Sequence, residues 1–300
     1  MTDAVSYPVG VPVQLAPDLH CVLAPNPSPM TFWGTNTYLI GAAALAVVDP
    51  GPADMQHLDA LLAAIAGRPV THILVTHSHL DHSPLARPLS EVVNAPILAF
   101  GDAQAGRSHV MTRLAAAGLT GGGEGIDADF VPDECLSDQA IVNGPWGTIR
   151  AVHTPGHLGN HLSFQWRQSL FSGDHVMGWA SSLVSPPDGD LTDFMLSCQK
   201  LSAIDATTYF PAHGPAITDP KTRLAWLVGH RKDRETQILD QLSLDDLTVS
   251  ELTRRIYVEV APALLPAAER NVFAHLVDLT ERGIIDAWPT LAFTAQYHRR

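Results

Sequence analysis

The sequence predicts an α/β protein in two parts, a layered catalytic domain over residues 1–220 and a small winged-helix-like helical domain over residues 221–300. Three observations lead there. Up to residue 220, short apolar, β-branched or aromatic runs alternate with stretches of helical spacing, the pattern of strands covered by helices. After Asp219-Pro220 the pattern turns mostly helical. The last helical stretch then precedes two short apolar runs about Trp288-Pro289, and helices followed by a two-stranded wing make a winged helix.

Taken in order, residues 25–33 are Pro-rich and end in Phe32 and Trp33. They read as a loop able to flank a cleft, although the two rings would also serve as core. Residues 54–66 place Met55, Leu58, Leu61, Leu62 and Ile65 at helical spacing. Ile73-Leu74-Val75, Thr148-Ile149-Arg150-Ala151-Val152, Ser169-Leu170-Phe171 and Thr207-Thr208-Tyr209-Phe210 read as strands. Residues 118–129 contain Gly121-Gly122-Gly123-Glu124-Gly125 and read as a mobile loop. Residues 221–242 read as a long amphipathic connector, and Thr248-Val249-Ser250-Glu251 has capping-box spacing that opens a helix to about residue 260. A helix over 266–282 follows, with Val272, Phe273, Leu276, Val277 and Leu279 on its apolar face and Gly283 as its stop. Ile284-Ile285 and Leu291-Ala292-Phe293 supply the two strands of the wing.

With 300 residues and 46% hydrophobic content, the chain can fill two cores. No run of about 18 apolar residues suggests a membrane span. Met1-Thr2-Asp3-Ala4-Val5-Ser6-Tyr7-Pro8 has neither a basic nor an apolar signal region. Cys21, Cys135 and Cys198 are odd in number and far apart, unlike a disulfide framework, so a reducing cytoplasm is expected. Residues 1–220 hold 7 Lys+Arg against 20 Asp+Glu while residues 221–300 hold 11 of each, so the formal charge of −13 resides on the first part. That acidity weighs against charge-driven binding of nucleic acid.

The chemistry concentrates in Thr76-His77-Ser78-His79-Leu80-Asp81-His82, directly after a strand. Three imidazoles and a carboxylate in one turn suit Zn²⁺ or another borderline first-row ion. His157, Asp174 and His213 follow in order, each just past a strand-like run, where strand ends can converge on one sheet edge. No Gly-x-Ser-x-Gly elbow offers a competing nucleophile. His153, His161 and His175 lie near these residues and are expected to orient them rather than bind metal, with His161 the first candidate exception. His20, His57, His72, His109, His230, His275 and His298 are read as ordinary.

The His-x-His-x-Asp-His stretch, the later lone His, lone Asp and final His together resemble the metallo-β-lactamase superfamily over about residues 10–220. The resemblance implies a four-layer αββα sandwich. It further implies that His77, His79 and His157 bind one metal, that Asp81, His82 and His213 bind a second, and that Asp174 bridges them. Asp49, in Val48-Asp49-Pro50-Gly51, matches a supporting carboxylate of the family. Gly34-Thr35-Asn36-Thr37-Tyr38-Leu39-Ile40-Gly41 and the domain order are similar to the β-lactamase-like protein 2 subfamily, whose known animal members cleave single-stranded RNA.

The expected protein is a metal-dependent hydrolase with two divalent ions, zinc first and iron or manganese as alternatives. Two such ions lower the pKa of bound water towards about 7, giving hydroxide as the nucleophile, with Asp81 both a ligand and a proton-transfer catalyst. The expected substrate is a small ester, thioester, lactone or amide. Alternatives are an endoribonuclease, a mononuclear iron enzyme like the family's persulfide dioxygenases, and a metal-stabilised scaffold. The C-terminal domain is expected to pack, or to mediate a homo-oligomer, rather than to bind RNA.

Overall fold

The computed structural model describes residues 6–121 and 125–300. The signal-free reading of the N-terminus falls partly on residues 1–5, and the mobile-loop reading of residues 118–129 falls partly on residues 122–124; residues 1–5 and 122–124 lie outside the described residues.

Among the described residues, the first sheet runs in chain order through β1 Val13–Ala16, β2 Leu19–Leu23, β3 Asn36–Ile40, β4 Leu45–Val48, β5 Val70–Leu74, β6 Ile97–Ala99 and β7 Glu134–Cys135. Pairing is antiparallel from β1 to β4 and parallel from β4 to β7. The second sheet comprises β8 Ile141–Gly144, β9 Gly147–His153, β10 Leu162–Trp166, β11 Ser169–Gly173 and β12 Thr208–Pro211, antiparallel except for the β11–β12 pair. Helices α1 Met55–Ile65, α2 Ala86–Val93 and α3 His109–Ala116 belong to the first half. Helices α4 Leu191–Ser202, α5 Pro220–Leu242, α6 Val249–Ile256 and α7 Leu265–Glu281 follow.

Side-chain alternation along the strands builds the layers. Tyr38 and Ile40 of β3 share a core with Ile149, Ala151, Phe164 and Phe171 of the second sheet, whereas Leu39 between them joins Leu58 and Leu61 of α1. Val152 and Leu170 in turn pack outward onto Phe194 and Leu201 of α4. The result is the expected αββα sandwich. No described helix is long and apolar enough to cross a membrane.

The C-terminal helices are joined to this sandwich through α5. Leu224 and Leu227, in its first half, pack with α4, while Ile238 and Leu242, in its second, pack with Leu252 of α6 and Val272 and Phe273 of α7. Met111 and Leu114 of α3 complete that last cluster. The wing is β14 Ile285–Trp288 paired with β15 Gln296–Arg299, and β13 Leu247–Thr248 lies on the far edge of β15.

Two sequence expectations shift here. The second wing strand is Gln296–Arg299 rather than the run at 291–293, because Leu291, Ala292 and Phe293 pack as half-buried loop against the helical core. Phe293 meets Phe273 edge-on, with centroids 5.2 Å apart, and Ala292 accepts a 2.6 Å bond from the Tyr297 hydroxyl. The helix that begins with the Thr248–Glu251 capping box ends at Ile256, since Tyr257 caps it and Pro262 begins a separate short turn of 3₁₀ helix.

His57, read as ordinary, is a buried residue of α1. The Thr37 hydroxyl donates to the Asp49 carbonyl at 2.7 Å and so accepts from His57 Nε2 at 2.9 Å. Nδ1 has no partner, and a second proton would be placed there. Burial, against a smaller pull from Asp54, brings the imidazole down to about 4. The unfolded chain therefore takes up a proton near pH 6.5 that the folded chain refuses until about pH 4. The stability associated with neutral His57 is complete above pH 6.5 and is lost as pH falls through 4, on the order of 3 kcal/mol. In urea titrations, His57→Gln should flatten the fall in unfolding free energy between pH 7 and pH 4 by about that amount. An unchanged slope would remove His57 from the account.

Candidate metal centre

All seven sequence-predicted ligand positions lie at strand ends, and all are buried. The chain leaves β5 through Val75, whose N–H still bonds Leu98 O at 2.9 Å, and then turns through residues 76–83. Asp49, just past β4, holds that turn: its carboxylate accepts from Thr76 N and Thr76 Oγ1, both at 2.7 Å, and from His82 Nδ1 at 2.9 Å. His157 follows β9, Asp174 follows β11 and His213 follows β12. Gly156 has φ 134°, and a Cβ there would lie 2.3 Å from the Phe194 backbone, so the turn into His157 requires glycine.

Two groups of donor atoms result. His77, His79, His157 and Asp174 form one, and Asp81, His82 and His213 the other, with the donor atoms of each within 4.8 Å of one another. In the first, His79 Nδ1 lies 2.9 Å from His77 Nε2 and 3.1 Å from His157 Nε2. In the second, Asp81 Oδ2 lies 3.1 Å from His213 Nε2 and 3.3 Å from His82 Nε2. Asp174 reaches both: Oδ1 is 3.3 Å from His213 Nε2 and Oδ2 is 3.6 Å from His157 Nε2. Among the described residues, Asp81 Oδ1, His82 Nε2, Asp174 Oδ1 and His213 Nε2 have no hydrogen-bond partner although buried. Buried polar atoms are normally satisfied, so this donor set fits cations.

Electrostatics point the same way. Burial opposes ionisation of Asp174 and Asp81, yet His213 and His82 beside Asp174, and His82 and His213 beside Asp81, hold both carboxyl groups below the usual range. Burial likewise opposes charge on His82 and His213, but Asp81 and Asp174 raise the first well above its ordinary value and Asp174 leads in pushing the second to about 10. The first group behaves oppositely. Burial holds His77 well down and His157 down, and brings His79 to about 3. In the first group neutral imidazoles thus face an ionised carboxylate, whereas in the second the protons on His82 and His213 balance the carboxylate charge, a place that a divalent ion would take.

The outer contacts fix the ring orientations. His77 Nδ1 meets Thr76 Oγ1 at 3.0 Å, His157 Nδ1 donates to Leu183 O at 2.7 Å, and His213 Nδ1 donates to Gly34 O at 3.1 Å. His161 is placed in this outer layer: its Nε2 accepts the Asp174 N–H at 3.3 Å. His175 packs on Phe194, and His153 stacks on Phe100 and donates to Gly159 O. Sequence reasoning missed Thr35, whose hydroxyl lies 3.4 Å from Asp81 Oδ2, and Asn36, which donates to Pro211 O and Gly214 O. The signal was the polar Thr35-Asn36-Thr37 run in an otherwise apolar strand.

Two stacked sheets with a buried His/Asp centre at their strand ends define a metallohydrolase. Residues 30–213 match the metallo-beta-lactamase superfamily and residues 248–287 match the beta-lactamase associated winged helix domain; the chain belongs to the metallo-β-lactamase superfamily and is a metal-dependent hydrolase. It is 30% identical over 275 residues to the beta-lactamase-like protein 2 homolog of Drosophila melanogaster, covering 87% of each chain. It is 27% identical over 263 residues to the atrochrysone carboxyl ACP thioesterase of Claviceps purpurea (strain 20.1), covering 82% of this chain and 74% of that one. The crystal structure of a beta-lactamase domain protein from Burkholderia ambifaria shares the fold, with a TM-score of 0.80 at 23% identity over 99% of this chain and 96% of that one.

Proposed function

We propose that the chain is a dinuclear zinc hydrolase of small acyl compounds, with a thioester as the leading substrate class. His77, His79 and His157 would hold one ion and Asp81, His82 and His213 the other, with Asp174 within reach of both. The observation that carries this reading is Asp174, whose two oxygens face different donor groups. A pair of divalent ions bound there supplies Lewis acidity and lowers the pKa of water towards about 7.

The chain contributes the rest. Asp81 engages His82, His213 and Thr35 through Oδ2, which leaves buried Oδ1 free to steer water or take a proton. Phe32 stacks between Trp33 and Trp179, with centroids 5.0 and 4.8 Å away. Trp179 also lies against Gly214, beside His213, where a Cβ would come within 2.8 Å of its ring. This aromatic shelf suits an apolar acyl group. The thioesterase named among the relatives supports a thioester. The acidity of residues 1–220 speaks against RNA.

The two-domain division near residue 220 and a cytoplasmic setting belong to the same proposal. Cys21 and Cys198 are buried free thiols and Cys135 is an exposed one, in keeping with a reducing compartment. Self-association through the C-terminal module would use exposed Leu244, Val258 and Trp288.

Metal analysis of purified protein should find about two ions per chain, zinc rather than iron or manganese. His213→Ala should retain about one, and equal loss of both would count against the assignment. Turnover of acyl thioesters, with none of single-stranded RNA, is the expected result on a substrate panel. RNA cleavage without thioester turnover would replace this reading with the nuclease one, and a single iron with neither activity would favour an oxygenase.

A further inference from the structure

Within the segment between Asp174 and α4, the backbone of residues 177–184 is gripped by side chains from the C-terminal helices. Arg223 of α5 donates through Nε to Met177 O at 2.6 Å and through Nη2 to Ala180 O. Arg231, also of α5, donates through Nη2 to Ser181 O at 2.9 Å and Ser182 O at 2.7 Å. Its Nη1 donates to Asn271 Oδ1 of α7 at 2.9 Å, and the same oxygen accepts the Val184 N–H at 3.2 Å. Leu183 lies between these anchored residues, and its carbonyl is the one that accepts the hydrogen bond from His157 Nδ1.

The cost of this arrangement indicates that it is specified. Arg231 is 2% exposed, and among the described residues no carboxylate pairs with it. A buried cation without a counter-charge is expensive, and here carbonyl and amide oxygens and the Phe194 ring, 5.1 Å away, are its surroundings. Ser182 sits at φ 64°, a left-handed conformation that a non-glycine residue keeps only where its neighbours enforce it. A lysine would supply the charge but not the planar fork that reaches three oxygens at once. Leucine at 271 would keep the number and branching of asparagine's side-chain heavy atoms but not the acceptor that joins Arg231 to Val184.

We propose that Arg231 and Asn271 are positioning residues for His157, so that the C-terminal helices set the aim of one imidazole in the metal centre through the Leu183 carbonyl. The proposal rests on His157 being a ligand, as assigned above. The orienting partners of a metal-bound histidine typically change metal affinity by 10- to 100-fold when removed.

The test is metal competition against a chromophoric chelator on the full-length chain, together with the visible spectrum of the cobalt-substituted protein. Asn271→Leu and Arg231→Lys are each expected to weaken the site containing His157 by about 10- to 100-fold and to shift its cobalt bands, with the affinity of the His213 site nearly unchanged. Asn271→Asp retains the shared acceptor and should restore both affinity and spectrum, which also separates aim from stability if Asn271→Leu folds poorly. His157→Ala is the control: if it leaves both affinities intact, the ligand assignment itself is wrong. If His157→Ala abolishes that site while Asn271→Leu and Arg231→Lys lower only the melting temperature, with affinities and cobalt bands as in wild type, the positioning role is overturned.

Discussion

Asp81→Asn is expected to lower kcat by at least about 100-fold, the lower end of what a positioned acid–base group contributes, while the fold survives. The substitution preserves size and one oxygen donor but removes the charge opposite His82 and His213. It therefore weakens the second donor group and, separately, replaces a buried oxygen that has no hydrogen-bond partner. Steady-state rates measured with increasing zinc separate these effects. Occupancy should recover with excess metal and the rate should stay low. Full recovery of rate would make Asp81 a ligand alone and end its proposed part in proton transfer.

Removing residues 221–300 should have the largest effect on the molecule as a whole. The cut strips Leu224 and Leu227 from the cluster around Phe194 and Leu201, and uncovers Met111 and Leu114 on α3. Each large apolar side chain returned to water costs roughly 1.5–3 kcal/mol. It also deletes Arg223, Arg231 and Asn271, which together hold backbone groups from Met177 to Val184. Size-exclusion chromatography of the truncated chain should show aggregates or a changed oligomeric state, with little protein in the soluble fraction. A soluble monomer with the metal content of the full chain would show that the C-terminal module is detachable, and its place in the architecture would need another explanation.

The layered fold and the clustering of the candidate donor residues were legible because both obey short-range rules. A strand must alternate its side chains, and a metal donor must be one of a few residue types, here placed just beyond the runs ending at Leu74, His153, Gly173 and Pro211. The supports were less legible. Gly34 and Leu183 act through carbonyls, which every residue possesses, so no side-chain pattern marks them. Asn271 lies 87 residues from the amide it accepts, and only the packed helices bring the two together. The wing shows a different limit. Leu291-Ala292-Phe293 is as apolar as a strand, yet it packs against Phe273 without pairing, while the more polar Gln296–Arg299 takes the ladder because Tyr297 alone must be buried. Hydrophobicity identifies what goes inside, and only backbone pairing decides which segment becomes a strand.

The donor atoms are divided between the two sheets: His77, His79, Asp81 and His82 extend from the first, whereas His157, Asp174 and His213 extend from the second. Ions held by both groups would act as staples across the sandwich, adding to its apolar packing and to the hydrogen bonds that Asn36 and Tyr38 of the first sheet make with Pro211 O of the second. An unfolded chain cannot present these donors together, so the free energy of metal capture is also free energy of folding. Thermal resistance then becomes a function of free metal concentration, rising logarithmically with it. A chelator would act on this protein as a denaturant as well as an inhibitor, and metal supply would govern how long the folded chain persists.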